Sequence, residues 1–250
     1  MSMDQTTPDT ILGQGVRSTE WNLSRLRLWH SFCRRYRVGE DSVPLFECDE
    51  DGLVLSREIG TGRRRKILQR SSAMEALMRQ EAKKAIDDHN AATGLYDGII
   101  YMMHTQGTDG GVVPCYIGKS ETVGKTSGVL SANLARLATD TSKFGRWGDN
   151  YAYHIGDLSA IVLPGHDSAM QREKYRSWAT ALFEGINTDH PRLRQPVFFW
   201  VRAWKREDVG IWTEFGPTRL SFLEYLLIGI ASSVFPHELL NREGHNRTFE

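Results

Sequence analysis

The stretch Asp97–Lys119, DGIIYMMHTQGTDGGVVPCYIGK, decides how the rest of the chain is read. Asp97–His104 is a run of apolar and aromatic residues that predicts a strand, and Val112–Gly118 predicts a second. Between them Thr105–Gly111 holds three glycines, the composition of a turn, so the two runs form a β-hairpin with a long loop. Tyr101 and Tyr116 then sit on paired strands, where a hairpin can turn both rings to one face. Gly98 opens the first strand and Gly118 closes the second; a glycine there lets a neighbouring group approach the backbone closely. Lys119 puts an ammonium at the strand end.

Outward from the hairpin, Trp21–Tyr36 carries apolar residues at helical spacing, with Arg25, Arg27, Arg34, Arg35 and the following Arg37 and no acid among them. Val43–Ile59 predicts two short strands around Asp49–Gly52, a hairpin signal. Gly60-Thr61-Gly62 leads into a basic cluster, Arg63, Arg64, Arg65 and Lys66, with Arg70 close behind. Ser72 and Glu75 have capping-box spacing and begin a helix that ends before Gly94. Beyond the hairpin, Leu130–Ala138 predicts a short helix, Phe144–Leu163 a loop entering a strand, and Ser168–Ile186 an amphipathic helix. Pro196–Trp204 predicts a strand, and Ser221–Phe235 an apolar helix stopped by Pro236. The expected architecture is α+β: a small mixed or antiparallel sheet opened by a β-hairpin and flanked by helices, with an N-terminal helix/hairpin extension. Residues 1–94 are expected to form that basic extension and 95–250 the second domain.

Composition sets limits on function. The 250 residues hold 31 basic and 31 acidic side chains, so bulk charge does not drive binding to nucleic acid, and only local patches can. Three cysteines without a C-x-x-C pair exclude a zinc ribbon or a disulfide framework and suit a reducing cytoplasm. The polar first ten residues do not read as a signal peptide, and the apolar stretch 222–235 is too short and too interrupted to span a bilayer.

The hairpin resembles the GIY-YIG nuclease family. Gly98-Ile99-Ile100-Tyr101 stands for the first signature, with one additional residue between glycine and tyrosine, and Tyr116-Ile117-Gly118 is the second intact. The resemblance runs over about residues 95–245 and implies hydrolysis of a nucleic-acid phosphodiester with Mg²⁺ or Mn²⁺. It assigns Tyr101 to deprotonate the attacking water, Tyr116 to orient it, Arg136 to the phosphate, Glu224 to the metal, and Asn241 to the site behind the last helix. The residue types suit this chemistry. A carboxylate-held cation offsets charge building on the phosphoryl oxygens, Mg²⁺ is satisfied by one protein carboxylate plus water, and a guanidinium grips phosphate bidentately. A tyrosine serves as base only when a nearby cation lowers its pKa from about 10, a task for Lys119 or the metal.

Local readings compete with several of these roles. Tyr101 and Tyr116 are also ordinary sheet residues, Ser221 and Glu224 have capping-box spacing, and Asn241 suits a helix end. Arg146, between glycines and beside Trp147, rivals Arg136 for the phosphate, and His154 is either a proton shuttle, a phosphate ligand or a structural histidine. Arg63, Arg64, Arg65, Lys66 and Arg70 are candidates for tracking a phosphate backbone. The expected activity is a site-specific, restriction-type endonuclease on double-stranded DNA, with homodimerisation suited to a palindromic site. The alternatives are a repair or mobile-element nuclease, a catalytically silent nucleic-acid-binding module, and a protein-interaction domain built on the seven tryptophans.

Overall fold

The computed structural model describes residues 8–60, 64–124 and 128–243. The element order is α1 (Pro8–Arg35), β1 (Val43–Pro44), β2 (Ser56–Ile59), β3 (Arg65–Leu68), α2 (Ser72–Ala91), β4 (Tyr96–Gln106) and β5 (Val112–Glu121). These are followed by α3 (His154–Val162), α4 (Glu173–Leu182), β6 (Phe198–Lys205) and α5 (Leu220–Val234). The chain is mixed α+β, with a four-stranded antiparallel sheet ordered β1-β6-β4-β5 and a separate two-stranded sheet, β2-β3.

Strand β4 is central and apolar almost throughout because helices cover both faces of the sheet. Ile99, Tyr101 and Met103 alternate into a core shared with α2, α3 and α4, whereas Ile100 and Met102 face a second core built with α1 and α5. The first core crosses residue 94: Leu45, Ile67 and Met74 pack in it with Ile99 and Phe199, and β1 pairs directly with β6.

Several elements differ from the sequence reading. Ser56–Ile59 pairs with Arg65–Leu68 and not with the run before Asp49; the Asp49–Gly52 turn is closed by an isolated Cys48–Val54 bridge and by hydrogen bonds from the Asp49 and Leu55 N–H groups to the Leu53 and Glu47 carbonyls. The cap of α2 is Ser71, whose hydroxyl accepts from the Met74 N–H, while Glu75 turns to Arg70 and Arg79. Leu130–Ala138 forms successive turns and no helix: the Gly145 N–H takes the Asn133 carbonyl, so the Leu137 N–H bonds to Leu134. The end of the Phe144–Leu163 passage is helix α3, not a strand. All nine of its residues are buried, and a short element apolar on every side carries no period by which helix and strand can be told apart.

Candidate functional site

The tyrosine of the first triplet and the glycine of the second are built into one register. Tyr101 pairs with Gly118 across β4 and β5, and its ring lies on that glycine: a Cβ added at Gly118 would sit 2.6 Å from the ring and 2.8 Å from the Tyr101 hydroxyl. Gly118 is therefore the residue that lets the phenol reach across the strand. Tyr116, two residues earlier on the same face of β5, has its ring centroid 6.4 Å from that of Tyr101. Trp147, His154, Trp178 and Phe199 close around the pair. Tyr101 is 2% exposed.

Strand β5 is an edge strand, so its outward N–H and C=O groups need partners other than another strand. The C-terminal segment supplies them at Cys115 and Ile117. Asn241 clamps Ile117 with both ends of its amide, Oδ1 accepting from the Ile117 N–H at 3.0 Å and Nδ2 donating to its carbonyl at 2.8 Å. The Leu240 N–H donates to the Cys115 carbonyl at 2.7 Å. Two residues along, Glu224 of α5 lies near enough to Lys119 for the lysine's charge and backbone N–H to act on its carboxylate. Glu224 makes no capping box in its own helix. Its supposed capping partner Ser221 lies within α5 and donates to Glu121 at 2.7 Å. Asn241 likewise caps no helix; it fixes the strand that carries Tyr116 and Gly118.

The Tyr101 hydroxyl over Gly118 and the Glu224 carboxylate near Lys119 thus lie beside neighbouring residues of β5. Burial raises the Glu224 pKa; Glu121 and Glu243 add to the rise, while Lys119 opposes it. Burial also raises both tyrosines, Tyr101 well above its usual value and Tyr116 to about 12, with Glu224 adding to each and Arg146 opposing. Lys119 does not lower them: it is paired with Glu121 at 2.6 Å.

Of the two arginines, Arg146 belongs to this group and Arg136 does not. Arg146 acts on Tyr101, Tyr116, His154 and Lys174 through its charge, and its guanidinium lies 5.3 Å over the Tyr153 ring. Arg136 is exposed in the turns after β5 and lines a hollow of about 300 Å³ with Asp140 and Lys143. His154 is 1% exposed at the first turn of α3; its Nδ1 meets the Tyr175 hydroxyl at 2.9 Å, and its Nε2 has no hydrogen-bond partner among the described residues. Burial, reinforced by Lys174 and Arg146, holds its pKa well below the usual value, so the ring is neutral.

Lys174 is the residue the sequence reading missed. Its Nζ is 3.5 Å from the Tyr116 hydroxyl, 4.6 Å over the Tyr116 ring, 5.3 Å over Trp178 and 5.5 Å over Tyr175. Among the described residues no carboxylate comes within ion-pair distance of it. Burial, then Arg146, lowers its pKa to about 8. The only signal in the sequence was a lysine between Glu173 and Tyr175 in an amphipathic helix, which reads as a solvated face.

The basic cluster divides. Arg70 is buried and unavailable to a phosphate: it donates to Glu75 and to the Trp147 carbonyl and lies over the Phe144 ring. Lys66 pairs with Asp189 at 2.5 Å and Arg64 with Glu58 at 3.3 Å, both at the surface. Arg65 donates to the Asp149 carbonyl and the Asn150 side chain. Arg63 lies outside the described residues.

A divalent cation would find hard oxygen at Glu224, a donor set that suits Mg²⁺ or Mn²⁺. Among the described residues no three His, Cys, Asp or Glu side chains converge to form a closed cage, so such an ion would depend on water and substrate for its remaining ligands. Among the described residues no helix is long and apolar enough to cross a membrane. No protein-family model matches this chain, and neither a curated protein nor a solved structure matches it.

Proposed function

We propose that the protein is a divalent-metal-dependent endonuclease of GIY-YIG type acting on double-stranded DNA, in its preferred form a site-specific, restriction-type enzyme working as a homodimer. The observation that carries this reading is that Tyr101 and Tyr116 share one face at Gly118 and that the charge of a distant carboxylate, Glu224, acts on both. Bound at Glu224, Mg²⁺ or Mn²⁺ supplies charge to offset that on the phosphoryl and departing oxygens. Arg146 binds the phosphate, and its charge is permanent.

The proton route follows from the pKa order of the site. A phenol with a pKa of about 12 is ionised in roughly one molecule in 10⁵ at pH 7, so neither tyrosine is the final proton acceptor. Neutral Lys174 is. The attacking water gives its proton to the Tyr116 oxygen as Tyr116 passes its own to Lys174 Nζ, and Tyr101 orients the water as a neutral hydrogen-bond donor. The departing oxygen takes a proton from solvent and Lys174 returns its own to solvent, so one water is consumed per bond cut and the free amine is regenerated.

Incubating purified protein with plasmid and Mg²⁺ tests the reading. Discrete fragments are expected from the wild type and none from Glu224→Ala, with DNA binding by the variant kept within about threefold. The burial of Tyr101 favours one rival, a DNA-binding module without turnover. That rival gains if the wild type binds DNA and leaves it intact with either metal.

A further inference from the structure

The loop that presents Arg146 has a second working end. Phe144, Arg146 and Ala152 are three of the six non-glycine residues with positive φ among the described residues. Such strain concentrates where a surrounding structure fixes a functional backbone. At the far end of this loop Tyr151 forms one wall of a cleft of about 850 Å³ between the β2–β3 hairpin and the Gly165–Met170 segment. A volume of that size accommodates a nucleotide.

The cleft is preorganised. The Tyr151 hydroxyl meets His166 Nδ1 at 2.9 Å, and His166 Nε2 meets the Lys66 carbonyl at 2.9 Å. Burial keeps His166 neutral, so a single tautomer serves both bonds: Tyr151 donates to Nδ1 and the ring donates from Nε2. The Arg65 guanidinium lies 4.1 Å over the Tyr151 ring. Its hydrogen bonds go to the Asp149 carbonyl and the Asn150 amide oxygen, both neutral, and among the described residues no carboxylate is within 4 Å of it. Its charge is therefore held in place and left uncompensated. The one acid in the lining, Asp167, accepts the Ala169 N–H.

We infer that this cleft is a second nucleotide-binding subsite, in which Arg65 takes a backbone phosphate and the Tyr151 wall takes the attached sugar and base of a DNA strand. The inference rests on the nuclease reading for the identity of that strand. Arg146 and Tyr151 are five residues apart, a backbone span of at most about 18 Å. With long side chains reaching further at both ends, and at about 3.4 Å per nucleotide along one strand of a duplex, the phosphate in the cleft lies within about ten nucleotides of the one at Arg146. The same loop thus sets both the position of cutting and the register of the flanking strand.

The test measures binding apart from cutting. Full-length protein is titrated in EDTA against a fluorescein-labelled DNA duplex of about 20 base pairs over a range of salt. Arg65→Ala should weaken binding about tenfold near 0.1 M salt and reduce the salt slope by about one. Met170→Trp, which fills the cleft without removing any interior hydrogen bond, should weaken binding by a similar factor with an unchanged Tm. Wild-type affinity and slope in both variants would overturn the subsite, even if the wild type cuts plasmid with Mg²⁺. Should the wild type bind DNA with an Arg65-dependent slope and cut nothing, the subsite stands and the nuclease reading falls. Failure of the wild type to bind DNA overturns both.

Discussion

The β4–β5 hairpin and the 144–178 segment contribute to one group of side chains in opposite ways. The hairpin supplies Tyr101, Tyr116 and Gly118 through a two-strand register, in which each residue's face follows from its parity along the strand. The later segment supplies Arg146, His154 and Lys174 from a strained loop, the first turn of a fully buried helix and the first turn of another. The hairpin places neutral groups and burial raises their pKa values; the segment brings the cations, one of which burial drives down to about 8. A strand register thus fixes neutral groups by local parity, while the charges that act on them come from elsewhere in the chain. On the proposed reading the neutral groups position, and the charges move a proton or hold a phosphate.

The sharpest way to break this contrast is at Lys174. Lys174→Arg keeps the positive charge and removes a base that can be neutral. Cleavage should fall by about 10²–10⁴-fold, the range of a general-base contribution. In the wild type the rate should rise with pH and level off above about 8, because Lys174 acts as the free amine; in the variant that limb should vanish. A pH–rate profile that keeps its limb in Lys174→Arg would return the base to the hairpin.

The arginines give a second comparison. Arg146→Ala should reduce turnover about 10²-fold or more, while Arg136→Ala should stay within about twofold, as expected of an exposed side chain outside the group. The reverse ranking in single-turnover assays would move the phosphate to the turns after β5.

How much of this was legible is clearest at β5. The tyrosines, the glycine and their shared face could be read from alternation and from the turn between the strands. Glu224 and Asn241 could be named as candidates only through the family resemblance, and local spacing offered caps as their roles. Asn241 instead satisfies the open edge of β5 and Glu224 comes near Lys119 on the same strand, an arrangement that exists only once α5 and the C-terminal segment have packed beside it. Replacing Asn241 by Ala leaves the Ile117 N–H and carbonyl without those partners and should lower stability by about 1–3 kcal/mol. Chemical denaturation measures the loss, and an unchanged midpoint would mean that water replaces the amide at no cost.

A last comparison lies away from the site, where His104 on β4 is held neutral between Ser42 and the Thr105 carbonyl. Burial lowers its pKa to about 4, below the value near 6.5 in the unfolded chain. Its contribution is complete above pH 6.5 and is lost as pH falls towards 4, a difference of about 3 kcal/mol across that window. Unfolding free energies from pH 7 to 4 should show this slope in the wild type and a flatter one in His104→Gln. Equal slopes would assign the acid sensitivity to other groups.

By itself the sequence determined the hairpin, the face shared by its tyrosines, the apolar stop at Pro236 and the α+β class, because each depends on spacing within a few residues. Only the tertiary structure decided that α3 is a helix, that Arg70 is interior and that Arg146 joins the tyrosines. It alone also gave Lys174 an aromatic box with no carboxylate at ion-pair distance among the described residues. Those outcomes turn on burial and on partners many residues distant, and electrostatics acts through space between groups that chain order does not bring together.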